Sequence, residues 1–151
     1  MPQNLFALAK SEGILVDYYD FPCNILGAYY HVEKKPPVIL LDKKIRNNHR
    51  LLRCIFAEEL GHHFTSTTDR VAFARSDKNY IMKKNEKSAI FWAVKYLMPM
   101  DELIKAVNSG LFYTHLLAEY FYVTERFVGT GIRLYLEEQA KRHGTAIIEV
   151  P

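Results

Sequence analysis

The segment FAEELGHHFT, residues 56–65, carries the side chains best suited to chemistry in this sequence. It sets two carboxylates, Glu58 and Glu59, beside two imidazoles, His62 and His63. Residues four apart lie on the same face of a helix, so Glu58 and His62 form a facing pair if the segment is helical. Their neighbours on that face are apolar or lack a side chain: Leu51, Cys54, Ile55 and Gly61. Because a charge that faces a core is costly unless paired or bound to a metal, the pair indicates an unusual site.

The spacing differs by one residue from H-E-x-x-H, in which two histidines bind zinc and the glutamate is the general base. In that register Glu58 replaces the first histidine, Glu59 is the candidate general base, and His62 is the second ligand. A carboxylate oxygen is an accepted zinc ligand, so Glu58 is compatible with a metal site. Glu/His pairs four residues apart are also common on solvated helices, and the spacing alone leaves both interpretations open.

A third candidate ligand, Glu86, lies on a second segment with helical spacing. It is followed at helical intervals by apolar residues, so it should head an inward-facing stripe: Ala89, Ile90, Ala93 and Leu97. Catalytic zinc typically takes three protein ligands and keeps a fourth position open. Glu58, His62 and Glu86 are therefore the ingredients of a three-ligand metal site, and a solvated helix face stays the alternative at this point. Two carboxylates with one imidazole widen the choice of metal from Zn²⁺ toward Mn²⁺ or Fe²⁺.

The elements that must position these residues can be predicted from periodicity and composition. Three segments rich in β-branched and aromatic residues predict strands: GILVDYYDF, ILGAYYHV and PPVILLD. Helical spacing predicts helices over residues 3–12, about 47–64, about 85–98 and about 101–108. Strands followed by helices indicate an α+β fold, with helices packed on a small three-stranded sheet. Glycine costs a helix roughly 1 kcal/mol relative to alanine, so Gly61 predicts a close approach by another element.

The boundaries of these elements follow from capping and breaking residues. Asp101 is a candidate N-cap, and Pro99 should stop the helix before it. Residues 65–83 are polar and weakly patterned, which predicts a long loop. Residues 115–138 predict a C-terminal helix pair with Thr124 as the cap between the helices, and residues 143–151 a short strand.

Composition bounds the class of protein. A hydrophobic fraction of 49% and 151 residues predict one packed domain over residues 1–151. A net charge of +3 is too small to indicate electrostatic binding to nucleic acid or to a membrane surface. Cys23 and Cys54 lack paired metal-ligand spacing and indicate free thiols in a reducing compartment. No signal peptide or apolar segment of about 20 residues is evident, so a cytoplasmic location is expected.

Three segments taken together resemble the ImmA/IrrE family of metallopeptidases: FAEELGHHFT, NEKSAIFWAVKYLMP and LLAEYFYVTERFV. The likeness is to forms carried by phages and mobile elements of Gram-positive bacteria. It implies a zincin-like metallopeptidase domain in which Glu58, His62 and Glu86 hold the metal and Glu59 is the general acid/base. It also implies a protein substrate, a helix-turn-helix transcriptional repressor encoded near the peptidase. Glu58 departs from the histidine of the family motif, which predicts a weaker or differently metallated enzyme.

A peptidase also needs a group that stabilises the oxyanion of the tetrahedral intermediate. His63, Tyr80 and His115 are candidates by residue type only, and the sequence favours a structural role for each of them.

Two other functions remain open at this stage. The first is a module that keeps the peptidase fold, is catalytically weak or inactive, and binds a regulator. The second is DNA binding, because residues 117–136 have the outline of a helix-turn-helix. Its second helix offers only Arg126 and Arg133 against Glu125, and Gly129 and Gly131 weaken it, so the sequence disfavours DNA binding.

Overall fold

A computed structural model describes residues 2–22, 24–65 and 78–144. Within these ranges the chain forms six helices: α1 (Pro2–Ser11), α2 (His49–Thr65), α3 (Lys78–Leu97), α4 (Met100–Asn108), α5 (Thr114–Phe121) and α6 (Glu125–His143). It also forms three strands: β1 (Leu15–Tyr19), β2 (Gly27–Tyr30) and β3 (Val38–Asp42). The predicted α+β fold, with a short sheet, packed helices and a C-terminal helix pair, is confirmed.

The sheet is mixed, with strand order β1-β3-β2. β1 pairs with β3 in parallel, with Leu15 opposite Val38, and β2 pairs with β3 antiparallel, with Gly27 opposite Leu41. Alternate side chains of the central strand, Ile39 and Leu41, are fully buried. Because successive residues of a strand point to opposite faces, these two mark the face that packs on the helices. β2 is left as an edge strand beside α2.

The carboxylate of Asp42 connects the end of the sheet to the start of α2. It is fully buried, and its two oxygens accept hydrogen bonds from the backbone N–H groups of Lys44 at 2.7 Å and Phe21 at 3.1 Å. These bonds, led by that from Lys44, hold the pKa of Asp42 below its usual value against the effect of burial. Asp42 thereby caps a single 3₁₀ turn (Lys43–Ile45) that leads into α2.

Helices α2 and α3 approach each other closely enough for their backbones to touch. A Cβ atom placed on Gly61 would lie 2.2 Å from the carbonyl oxygen of Ala89 and 2.9 Å from its Cα. No side chain larger than hydrogen fits between the two backbones at this point. The prediction of a close approach at Gly61 is therefore confirmed, and α3 is the element that makes it.

The C-terminal helix pair packs on the far end of α3. Thr124 is the N-cap of α6, as predicted, because its Oγ1 accepts a hydrogen bond from the N–H of Phe127 at 3.1 Å. Tyr135 donates a hydrogen bond from its hydroxyl to the carbonyl oxygen of Met98 at 2.9 Å. A Cβ on Gly131 would meet the side chain of Met98, so this glycine, like Gly61, permits close packing.

Two boundaries differ from the prediction. α3 begins at Lys78, so residues 78–83 are helical rather than loop, and residues 66–77 lie outside the described ranges. No glycine or proline interrupts residues 78–84, so the helix can extend toward its N-terminus. Asp101 is not the N-cap of α4. Pro99 takes that position without a side-chain bond, and Asp101 lies in the first turn, where a carboxylate still favours the helix dipole.

Two predictions fall on residues that the structure does not describe. The strand predicted over residues 143–151 lies largely beyond Gly144, the last described residue, and His143 belongs to α6. Cys23 is also outside the described ranges, whereas Cys54 is a buried free thiol. A separate finding concerns membranes: none of the helices in the described part of the chain is long and apolar enough to cross a bilayer. The prediction of a single domain over residues 1–151 stays a prediction.

Candidate active site

His62 and Glu86 meet where α2 crosses α3. The Nε2 atom of His62 lies 3.0 Å from Oε1 of Glu86. The imidazole is buried, with only 7% of its side chain exposed, whereas 58% of the Glu86 side chain is exposed. Its place at the head of an apolar stripe predicted that Glu86 faces the core. That prediction is wrong, because the side chain is mostly exposed. Below it Ala89 and Ala93 are fully buried, but Glu86 itself lies at the edge of the helix contact and reaches over to His62.

Glu58 lies one turn before His62 on α2 and is partly buried. Burial is the largest cause that raises its pKa from 4.5 to about 7, and the negative charges of Glu59 and Glu86 add to this effect. The charges of His62 and Arg126 act in the opposite direction. The structure thus places the carboxylates of Glu59 and Glu86 and the imidazole of His62 within electrostatic range of Glu58. Such a cluster carries an excess of negative charge, which a proton or a cation would relieve.

The fit of this cluster to a metal ion is partial. An imidazole with carboxylates is a donor set that zinc and other divalent metals accept. His62 and Glu86 already present one nitrogen and one oxygen to each other. Over residues 2–22, 24–65 and 78–144, however, no group of three or more His, Cys, Asp and Glu side chains is arranged to hold a metal. The structure brings two of the three predicted ligands into contact and leaves Glu58 within electrostatic range of them.

Glu59 lies against the edge strand of the sheet. A Cβ on Gly27, the first residue of β2, would be 3.0 Å from Cγ of Glu59 and 3.1 Å from its Oε1. The bare backbone at Gly27 therefore leaves room for the Glu59 carboxylate beside β2. Adjacent helix residues point about 100° apart, so Glu59 leaves α2 in a different direction from Glu58.

The three candidates for oxyanion stabilisation have different surroundings. Both ring nitrogens of His63 already have partners, because Nδ1 is 2.9 Å from the Tyr29 hydroxyl and Nε2 is 3.2 Å from Oε2 of Glu12. This network ties α1 and β2 to α2. His115 is exposed on α5, where its ring stacks on that of Tyr113. Tyr80 lies within α3, but its side chain is outside the described part of the structure. None of the three is brought against the His62–Glu86 pair by a described contact.

Arg126 is a site residue whose place the sequence did not indicate. Its charge acts on Glu58 although it belongs to the first turn of α6. Both residues line a cavity of about 270 Å³ between α2, α3 and α6. Arg126 drew attention in the sequence only as a candidate DNA contact. No local signal could have linked it to Glu58, since the two residues are far apart in the chain.

Helix α6 has little of what a DNA-recognition helix needs. Phe127, Val128 and Tyr135 are buried, so these side chains belong to the core and are not available to contact DNA. Arg133 is paired with Glu137 on its own helix, at 3.0 Å between Nη1 and Oε1. Of the two arginines considered for DNA contact, one is therefore paired and the other lies beside Glu58.

Comparison with known proteins adds a family assignment. The family model described as Peptidase_M78, IrrE N-terminal-like domain, matches residues 9–133. The matched region includes Glu58, Glu59, His62 and Glu86, and it ends within α6. A search of curated proteins gave no match.

Proposed function

Because this chain belongs to the IrrE N-terminal-like peptidase family, whose members are generally metal-dependent, we propose that it is a metal-dependent endopeptidase with its site at the crossing of α2 and α3. The zincin-like fold expected for such a domain agrees with the six helices and mixed sheet of the described residues. The observation that carries the proposal is the 3.0 Å contact between His62 Nε2 and Glu86 Oε1, which joins two candidate ligands from separate helices.

His62 and Glu86 would hold the metal, and Glu58 is the residue that would complete the set. When bound there, a divalent metal would lower the pKa of a water molecule and polarise the scissile carbonyl. The excess negative charge around His62 supports a cation at this position. Since two of the three ligands are carboxylates, Zn²⁺, Mn²⁺ and Fe²⁺ are all candidates.

Glu59 is the proposed general acid/base. It would accept a proton from the attacking water and pass that proton to the amine that leaves when the peptide C–N bond breaks. Its carboxylate needs freedom from the metal ligands to do this. Its place against Gly27 of β2, within electrostatic range of Glu58, supports that role.

The proposed substrate is a helix-turn-helix transcriptional repressor encoded near the peptidase in a phage or mobile element. The basis is the resemblance of the three sequence motifs to peptidases of such elements. Cleavage of the repressor would release the genes that it controls. A protein substrate itself follows from the peptidase family.

The test is to incubate the purified protein with the neighbouring repressor, with and without Zn²⁺ or Mn²⁺. We expect metal-dependent cleavage that Glu59→Gln abolishes, because the amide cannot accept the proton. Glu119→Gln, the same change at an exposed residue of α5, is the matched control and should cleave like the wild type. Cleavage without metal, or cleavage retained by Glu59→Gln, would refute the proposed mechanism.

Two observations favour a second candidate function. The described residues contain no complete three-ligand group, and Glu58 stands where the motif has histidine. A module that binds the repressor without cleaving it would tolerate both features. The same experiment separates the two functions, since such a module would bind the repressor and leave it intact in every metal.

A further inference from the structure

A cavity of about 270 Å³ adjoins the proposed active site. Glu58 belongs to both, because its carboxyl group is in electrostatic range of His62 and Glu86 and its side chain also lines the cavity. A cavity of roughly 150 Å³ is enough to hold benzene in a protein interior, so this one can accept any large side chain. It adjoins the site, because its lining residues Glu58 and Ile90 lie one helical turn from His62 on α2 and from Glu86 on α3.

The walls of the cavity are mostly apolar. Its apolar lining comes from Leu26, which precedes β2, and from three helices: Leu51, Cys54 and Ile55 on α2, Ile90 on α3, and Phe127 on α6. The polar lining residues lie on α2 and at the start of α6: Glu58, Thr124, Arg126 and Thr130. Three of these polar groups are engaged, because Thr124 caps α6 and the charges of Glu58 and Arg126 attract each other.

We propose that this cavity is a specificity pocket that receives a large apolar side chain, such as leucine or phenylalanine, from the substrate residue next to the scissile bond. The inference rests on the proposed peptidase function. Glu58 fixes the relation between the two regions, since a substrate bond held at His62 and Glu86 has its neighbouring side chain within reach of the Glu58 wall.

The chemistry of the lining selects the class of side chain. Full burial of a leucine or phenylalanine side chain among apolar walls strengthens binding by about tenfold to 100-fold relative to an exposed one. A charged side chain would lose its hydration there. The pocket therefore favours substrates cleaved beside large apolar residues.

Thr130 and Ile90 are the residues expected to set the size of the pocket. Both are half-buried and line it from opposite helices, α6 and α3. Thr130→Phe should fill the pocket, and Ile90→Ala should enlarge it. Matched controls exist on exposed surfaces: Lys141→Phe adds the same ring to α6, and Ile104→Ala removes the same atoms from α4.

The first measurement is the binding of small probes to the metal-free protein. The methyl NMR signals of Ile55 and Ile90 report the binding. The probes are N-acetyl-leucine amide and N-acetyl-alanine amide. We expect saturable shifts for the leucine probe, with an affinity at least about tenfold above that for alanine. Thr130→Phe should abolish the shifts, whereas Lys141→Phe should keep them. Equal responses to both probes, or none, would overturn the pocket whatever the catalytic outcome.

The second measurement is a cleavage profile on a proteome-derived peptide mixture with Zn²⁺ or Mn²⁺ present. We expect cleavage beside leucine and phenylalanine, a preference for smaller residues in Thr130→Phe, and a shift toward larger ones in Ile90→Ala but not in Ile104→Ala. Cleavage without apolar preference would refute the pocket and leave the peptidase function standing. No cleavage, together with selective binding of the leucine probe, would refute the peptidase function and leave the pocket standing.

Discussion

The imidazole of His62 and the carboxylate of Glu86 lie 3.0 Å apart where α2 crosses α3. Gly61, the residue before His62, lies against the backbone of Ala89, which follows Glu86 by one helical turn. The packing of α2 on α3 and the geometry of the candidate site are therefore one feature. A change that separates the helices should also separate the two side chains.

Removal of a proposed ligand should lower metal affinity. Loss of groups that only support ligands typically costs 10–100-fold in metal affinity, so His62→Ala and Glu86→Ala should each cost about 100-fold or more. Glu58→Ala should also weaken binding if Glu58 completes the ligand set. His49→Ala, at an exposed position on α2, is the control. The measurement is zinc content after reconstitution and dialysis, and equal, near-zero zinc in all forms would contradict the metal site.

Gly61→Ala should destabilise the protein because its methyl group would overlap the carbonyl oxygen of Ala89. Overpacking of this kind costs about 1–3 kcal/mol or more, since a backbone atom cannot turn aside. Gly129→Ala on α6 is the matched control, because a Cβ there meets no atom within 4 Å. It should stabilise the protein by about 0.5–1 kcal/mol through helix propensity. Urea unfolding measures the change in the free energy of unfolding for both variants. If Gly61→Ala also stabilised the protein, the backbones of α2 and α3 would be farther apart at Gly61 than described.

Gly27→Ala should impair catalysis more than folding. The new methyl group would press on Cγ2 of Ile55 at 2.8 Å and on Glu59 at 3.0 Å. Both are side chains that can move, so the fold should survive while Glu59 loses its position. We expect cleavage to fall about tenfold or more, in line with the contribution of a positioned general base. Metal content should not change. A rate equal to that of Ala28→Ser, a change in the same strand, would refute this role for Gly27.

The stability of the metal-free protein should depend on Glu58 between about pH 4.5 and 7. The pKa of Glu58 is about 7 in the folded state against 4.5 in the unfolded chain. The folded state therefore binds more protons in this window, and the free energy of unfolding falls as the pH rises through it. The loss attributable to Glu58 is up to about 3 kcal/mol and is complete above pH 7.

The comparison of wild type with Glu58→Gln isolates this contribution. The variant should lack the decline and should be more stable than the wild type at pH 8, whereas Glu119→Gln should follow the wild type. Unfolding in urea at a series of pH values measures it. Saturating Zn²⁺ should reverse the trend in the wild type, because a bound cation favours the ionised carboxylate. A parallel decline in wild type and Glu58→Gln would contradict the shifted pKa.

Local chemistry made much of the fold predictable. Thr124 caps α6 because a threonine oxygen can accept the backbone N–H of Phe127 within a few residues. The strands around Ile39 and the helix around His62 follow from side-chain periodicity, which each segment carries in itself. The early start of α3 at Lys78 escaped prediction because polar residues without glycine or proline are compatible with both helix and loop.

The sequence by itself determined the chemical types of the site residues, their helical spacing, and the need for close packing at Gly61. Only the tertiary structure decided that Glu86 reaches His62 from an exposed position and that Arg126 and Thr130 share a cavity with Glu58. The physical reason is range. Spacing and capping act within one or two turns, whereas the contacts between α2, α3 and α6 depend on how whole helix faces fit together. The residue pattern of a single helix does not predict how its face packs on those of other helices.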